Sequence, residues 1–175
     1  MKYALLAVVL VLASCRLQPP AVEMQGYFFV GAPDEATAQK QNPELLLAVT
    51  EVITAIVNED RELLLKYVSK DEGAIIDAKA FVSYAQIRTA LYDAQSQLAR
   101  VFWDDKYWRE TAPNDNIQSY RKTFGKAETI RAGFFWYSPS ECEVRLDFPG
   151  RPSMGIMGNP IFRKRGAHWH LMNFF

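Results

Sequence analysis

The chain has 175 residues, of which 20 are basic and 20 acidic, so its formal net charge at pH 7 is zero. This balance excludes the strongly basic footprint that nucleic-acid-binding proteins carry. The content of hydrophobic residues is 49%, which excludes general disorder and predicts a folded domain with a sizeable core.

The amino-terminal stretch has the pattern of a signal peptide. Lys2 is followed by an apolar run over Tyr3–Leu12 and then by Ala13-Ser14-Cys15. The run is too short to cross a bilayer, which takes about 20 apolar residues. An ordinary cleavage site has small residues at the first and third positions before the cut. Leu12 would occupy the third of these positions, so ordinary cleavage after Ser14 is disfavoured.

The tetrapeptide Leu12-Ala13-Ser14-Cys15 resembles the bacterial lipobox at all four positions. The resemblance implies that residues 1–14 are removed and that Cys15 receives a diacylglyceryl group, which would anchor the protein in the membrane of a bacterial cell envelope. Each buried CH₂ of an acyl chain contributes about 0.8 kcal/mol to such anchoring. The residue after the cysteine is Arg16. Aspartate at this position often retains lipoproteins in the inner membrane, so the arginine favours the outer membrane. The alternative is a secreted soluble protein.

Residues 16–41 contain prolines, glycines and polar residues, and the pattern predicts a flexible tether between the lipid and a single domain over residues 42–175. One stretch of the tether, Tyr27-Phe28-Phe29-Val30, is too apolar for water. It either docks on the domain as an edge strand or lies at the lipid surface.

Helical signals dominate the next part of the chain. Asn42-Pro43-Glu44 is typical of a helix start and predicts a helix to about Asn58. Ser83 and Gln86 form a capping box that predicts another helix over about Tyr84–Ala94. The remaining predictions are a short helix over Arg61–Val68, an extended piece at Ala74–Ile76, a helical turn through Leu98–Phe102, a loop over Lys106–Asn116 and a last helix over Ile117–Phe124, closed by Gly125.

After residue 125 the hydrophobic residues recur at every second position instead of about every 3.6 residues. Cys142, Val144, Leu146 and Phe148 alternate with charged residues, which predicts a strand with Cys142 on its core side. Because the lipobox uses Cys15, Cys142 would be an unpaired, buried thiol. Other predicted strands are Thr129–Tyr137, joined to this strand by a turn at Ser138–Ser140, and pieces at Met154–Met157, Pro160–Arg165 and Ala167–Phe175.

Helices followed by a strand meander predict an α+β domain, with N-terminal helices packed on a curved antiparallel sheet formed by the C-terminal third. This order, ending in Ala167-His168-Trp169-His170-Leu171 after a basic turn, is similar to the nuclear-transport-factor-2-like cone, in which a bent sheet wraps around a pocket. The stretch Tyr67–Gly73 resembles one in uncharacterised lipoproteins of bacteria such as spirochaetes. Neither resemblance implies an activity.

Several polar residues are candidates for chemistry. His168 and His170 point the same way on a strand, but a zinc site needs further ligands, so we expect two histidines on a wet or groove-lining face and no metal. Asp104-Asp105, flanked by Trp103 and Trp108, and Asp77 could lie at a pocket rim or simply cap helices. The basic run Arg163-Lys164-Arg165 could contact lipid headgroups or form a solvated turn.

The sequence therefore favours a binding or interaction module, with a small apolar ligand, a peptide or another envelope protein as partner and with no cofactor. The candidate binding residues are Trp103, Asp104, Tyr120, Trp136, His168 and His170. The alternative is a small isomerase- or hydrolase-like enzyme that uses Asp77, Asp104, Tyr120 or His170 as acid–base group. A third interpretation is that the protein is an assembly subunit without a pocket.

Overall fold

The computed structural model describes residues 18–29, 35–76, 80–113, 117–150 and 158–174. Most helices precede most strands along the chain, so the predicted α+β class is confirmed. The helices are α1 (Glu35–Val57), α2 (Arg61–Lys66), α3 (Tyr84–Tyr92), α4 (Gln97–Trp103), α5 (Asp105–Thr111) and α6 (Tyr120–Gly125). The strands are β1 (Ala21–Phe29), β2 (Ala74–Ile76), β3 (Ala80–Val82), β4 (Thr129–Ser138), β5 (Glu141–Asp147), β6 (Ile161–Arg165) and β7 (His168–Asn173).

The strands form one sheet in the order β1-β4-β5-β6-β7-β2-β3. Its centre is the predicted antiparallel meander of β4 to β7. The two edges come from the N-terminal part of the chain: β1 pairs with β4 in parallel, and β2 pairs with β7 in parallel and with β3 in an antiparallel hairpin. The C-terminal third thus supplies the middle of a mixed sheet.

Strand β1 corrects the predicted tether. Residues 21–29 were expected to be a flexible spacer, but they pair with β4 from Ala21↔Thr129 to Phe29↔Trp136. Tyr27–Phe29 therefore form an edge strand, as one of the two alternatives predicted, and Val30 lies outside the described residues. The strand is stabilised by side-chain packing, since the Phe28 ring stacks on Phe135 at 4.9 Å and Val22 packs against the core. The folded domain begins well before residue 42.

Helix α1 also begins earlier than predicted, at Glu35, and it accommodates Pro43 in its interior. Asn42 looked like an N-cap because polar residues before proline are typical of helix starts. In the structure the Asn42 side chain is buried and accepts a hydrogen bond from Trp136 Nε1 at 3.1 Å. The Asn42 side chain therefore does not cap a helix but bonds a residue 94 positions away.

The segment predicted as a loop over residues 106–116 contains helix α5. Its cap is Asp104, whose Oδ1 accepts from the backbone N–H groups of Lys106 at 2.8 Å and Tyr107 at 3.2 Å. Other predicted starts are confirmed: Asp60 caps α2, and Ser83 and Gln86 form the capping box of α3. Helix α6 starts after Ser119, and Gly125 is its last residue.

The core lies between the helices and the inner face of the sheet. Successive inward residues of β4 are fully buried, and α1 covers them with an apolar stripe. The inward residues of β4 are Ile130, Ala132, Phe134 and Trp136. Cys142 and Val144 continue this face on β5, as the alternation predicted, and burial raises the pKa of the Cys142 thiol far above its usual range.

Some predictions fall outside the described residues, namely the signal peptide and lipobox over residues 1–15, the carboxylate of Asp77 and the strand piece at Met154–Met157. Within the described ranges, the helices are all too short or too polar to span a membrane.

Candidate functional site

The candidate binding residues lie in three places, namely the core, the helices α4 to α6 and the strand β7. Trp136 belongs to the interior: its side chain has no exposed surface, it donates to Asn42, and it meets Trp169 edge-on at 5.7 Å. A ligand cannot reach this ring without opening the core. Trp136 is therefore a packing residue in this fold.

Trp103 and Tyr120 flank Phe102 in an aromatic cluster formed by α4 and α6, with ring centroids 5.6 and 5.5 Å from that of Phe102. Trp103 donates from Nε1 to the Ile56 carbonyl at 3.0 Å, and the Arg61 guanidinium lies 4.5 Å from its ring. Tyr120 is buried, and burial raises the pKa of its hydroxyl to about 12. A hydroxyl with this pKa keeps its proton at neutral pH.

The two neighbouring carboxylates have structural partners. Asp104 caps α5, as described above. Asp105 accepts from the backbone N–H of Ser119 at 3.0 Å and from the Ser119 hydroxyl at 2.8 Å, and it pairs with Lys122 at 3.4 Å. Partial burial alone would raise the pKa of Asp105, but the bonds from Ser119 and Lys122 outweigh it and lower that pKa. Asp105 is thus an ionised brace between α5 and α6.

His168 and His170 lie on the outward face of β7, paired with Arg165 and Arg163 of β6, as the spacing of two predicted. His170 lines a cleft of about 550 Å³, a size that suits a small ligand. The cleft lies between α2, the segment after it, the start of α3 and the β6–β7 hairpin. Its lining residues are Glu62, Leu65, Lys66, Val68, Ser69, Lys70, Asp71, Glu72, Tyr84, Arg165 and His170.

One wall of this cleft is the tight turn over residues 69–73. The turn is closed by bonds from Gly73 N to Ser69 O at 2.9 Å and from Glu72 N to Ser69 Oγ at 3.2 Å. Gly73 has a φ of +71°, and a Cβ there would lie 2.0 Å from the Val82 carbonyl oxygen. Only glycine fits this position without displacing β3. The turn is therefore held firmly at the mouth of the cleft.

Ion pairs join this turn to β6. Glu72 accepts from Arg165 at 2.8 Å and lies 3.8 Å from Arg163, which also bonds Glu141 at 2.9 Å. Lys164 pairs with Glu44 at 2.6 Å. Each side chain of the predicted basic cluster thus has a carboxylate partner within the domain, so the cluster positions the cleft wall and is not a run of unpaired cations.

His170 is half-buried beside this network. Its Nδ1 is shielded from solvent and has no hydrogen-bond partner within the described part of the chain. Burial and the neighbouring His168 lower the pKa of His170, while Glu72 and Asp71 act in the opposite direction. The imidazole is therefore neutral at neutral pH, with one ring nitrogen lacking a partner.

The lining carries both signs of charge in equal number. Carboxylates come from Glu62, Asp71 and Glu72, and cations from Lys66, Lys70 and Arg165. Among the described residues, no group of three His, Cys, Asp or Glu side chains is arranged to hold a metal ion. The arrangement suits binding of a polar ligand that itself carries both charges, because each charge would find a complementary partner.

A smaller cleft of about 320 Å³ adjoins the first through Lys66. His168, Tyr67, Leu47 and the largely buried Trp169 are among the residues that line it. The Tyr67 hydroxyl donates to Glu51 at 2.8 Å, and burial and this carboxylate together raise the pKa of Tyr67 well above its usual range. The two histidines thus face two neighbouring clefts.

Sequence reasoning missed Ser69, Asp71 and Glu72 as cleft residues. Their only local signal was a polar turn ending in glycine, which is common in loops. They meet His170 because Val68 bridges to Leu171 and because Leu171 N donates to Tyr67 O at 2.6 Å, contacts between residues about a hundred positions apart. No protein-family model, curated protein or solved structure matches this chain, so its site is described by its own residues alone.

Proposed function

We propose that this protein is a lipid-anchored protein of a bacterial cell envelope, attached through Cys15, and that its α+β domain is a binding module with the His170 cleft as its site. The observation that carries the attachment is the tetrapeptide Leu12-Ala13-Ser14-Cys15 at the end of an apolar run. The lipid supplies membrane affinity that the electrically neutral chain does not.

Binding is supported by the charged and polar side chains that line the cleft. Its ionic groups balance, its imidazole is neutral, and one buried ring nitrogen of His170 lacks a partner. Buried polar atoms without a partner are rare in proteins, and rotation of the His170 ring toward the cleft would let a bound polar group satisfy this one. These features favour a small zwitterionic ligand, such as a short peptide, over the apolar ligand that the aromatic-rich sequence suggested.

Fractionation of a bacterial host that expresses the full chain tests the attachment. The wild-type protein is expected in the membrane fraction, and Cys15→Ser is expected in the soluble fraction because it cannot form the thioether. Cys142→Ala is the matched control, since that thiol is buried in the domain. Equal membrane recovery of the wild type and Cys15→Ser would contradict the anchor.

Thermal denaturation of the domain with zwitterionic dipeptides, neutral sugars and fatty acids tests the binding proposal. A ligand at 100 times its dissociation constant adds about 2.7 kcal/mol of stability. We expect stabilisation by dipeptides that is lost in His170→Ala and retained in His168→Ala. Stabilisation by fatty acids that His170→Ala leaves intact would place the site elsewhere.

A further inference from the structure

The short distance between the lipid-bearing residue and the domain limits which part of the domain can face the membrane. Cys15 precedes the first strand by residues 16–20 alone, and the last of these, Pro20, is already buried against the domain. A fully extended chain spans at most about 3.6 Å per residue. The connection between Cys15 and the domain is therefore a short leash of roughly 18 Å or less, and not the long tether that the composition predicted.

The leash enters the sheet at one end. Ala21 N donates to Glu128 O at 3.1 Å, so β1 and its parallel neighbour β4 both begin there. β5 runs antiparallel to β4 and ends there, with Arg131 opposite Asp147. We call this end, formed by residues 18–21, 126–129 and 147–150, the entry end of the sheet.

The opposite end carries the cleft. β4 turns into β5 at residues 138–140, and Lys164 N donates to Ser140 O at 2.8 Å, which places the end of β6 beside that turn. Arg165, the last residue of β6, then holds Glu72 of the cleft wall. A strand of nine residues is about 30 Å long, so the cleft lies farther from the point of entry than the leash can reach.

We propose that the entry end of the sheet is apposed to the lipid surface and that the His170 cleft opens away from the membrane, toward soluble ligands. This inference rests on the proposed lipid attachment and adds the surface that meets the bilayer. The exposed charged residues of the entry end are Lys126, Glu128 and Asp147, which together carry one net negative charge, so the leash, and not charge attraction to lipid headgroups, determines the contact.

Fluorescence quenching on vesicles tests this orientation. The acylated full chain is reconstituted in phosphatidylcholine vesicles in which some lipids carry a quencher on the headgroup. A thiol-reactive fluorophore is placed at the entry end in Glu128→Cys or Pro149→Cys, and at the far end in Ser140→Cys or Ala167→Cys. All four positions are at the surface or partly exposed. The native Cys142 is buried with a raised pKa, so it contributes little background labelling.

We expect a large loss of fluorescence at positions 128 and 149 and little loss at 140 and 167. Equal loss at both ends would show that the domain lies on its side, and greater loss at 140 and 167 would show the opposite orientation; either result overturns the proposal. Wild-type protein recovered from its bacterial host without an acyl group on Cys15 would contradict the lipid attachment itself, and the orientation with it. Unchanged thermal unfolding of the labelled variants confirms that each remains folded.

Discussion

The aromatic cluster around Phe102 and the cleft around His170 both contain residues that the sequence suggests for binding, yet they differ in what their polar atoms contact. In the cluster, Trp103 donates to a backbone carbonyl, and the adjacent Asp105 is bonded to Ser119. In the cleft, Arg165 is paired with Glu72, but His170 retains a buried nitrogen without a partner in the described part of the chain. Residues of one type can thus stabilise the fold or remain available to a ligand, and their partners distinguish the two roles.

The largest loss of stability is expected from a substitution in the core. Trp136→Ala should lower the free energy of unfolding by about 3–5 kcal/mol, because it leaves a cavity and removes the hydrogen bond to Asn42. Tyr137→Ala, on the outward face of the same strand, should cost about 1 kcal/mol or less. Urea denaturation followed by circular dichroism measures both. Similar small costs for the two variants would show that Trp136 is not a core residue.

The turn that forms the cleft wall should be the next most sensitive. Gly73→Ala forces a Cβ against the Val82 carbonyl oxygen in a backbone with φ of +71°, so it should cost more than about 1 kcal/mol. Gly150→Ala is the matched control, because its φ is +76° but nothing lies within 4 Å of the added atom. The difference between the two urea midpoints isolates the steric clash, and no difference would mean that β3 does not confine the turn.

Next to the aromatic cluster, Asp105→Asn should lower the free energy of unfolding by about 1–3 kcal/mol at pH 7, since it weakens charge-assisted hydrogen bonds from Ser119. Because the pKa of Asp105 is lowered in the folded state, its contribution is present above the unfolded value of about 3.9 and is lost as pH falls through the lower folded pKa. The cost should therefore shrink in acid. Asp147→Asn, at an exposed carboxylate, should change stability by about 0.5 kcal/mol or less.

The smallest change in stability is expected from substitution of His170. The pKa of His170 is lowered in the folded state, so folding disfavours its protonated form. Stability should be full above the unfolded histidine value of about 6.5 and should decline as pH falls through that value toward the folded pKa. His170→Gln should remove part of this decline, whereas His168→Gln should leave most of it. Two-dimensional NMR of the imidazole resonances measures the pKa of His170, and a value above the unfolded histidine value of about 6.5 would contradict the assignment.

Local signals predicted most of the fold because they act over a few residues. The capping box at Ser83, the cap at Asp60 and the alternation around Cys142 each satisfy nearby backbone groups or one sheet face, and all are confirmed. The start of α1 was misjudged because Asn42 bonds a tryptophan far along the chain. Residues 21–26 of β1 were missed because this half of the strand, with one glutamate, one glutamine and one glycine, gains its stability from pairing with β4.

The candidate site was less predictable than the fold. His170 was found because histidines are few, but the wall that faces it comes from a turn whose residues look like those of any solvated loop. Parallel pairing of β2 with β7 and the bridge between Val68 and Leu171 bring that turn to the strand. Such contacts between distant segments leave no periodicity in the sequence, so a single chain cannot indicate them.

The membrane attachment and the proposed orientation of the His170 cleft both depend on the lipid at Cys15. Mass spectrometry of the amino-terminal peptide from protein made in a bacterial host tests it most directly. We predict that the mature chain begins at Cys15 and carries the mass of a thioether-linked diacylglyceryl group. An unmodified Cys15, or a mature chain that begins at another residue, would contradict the account.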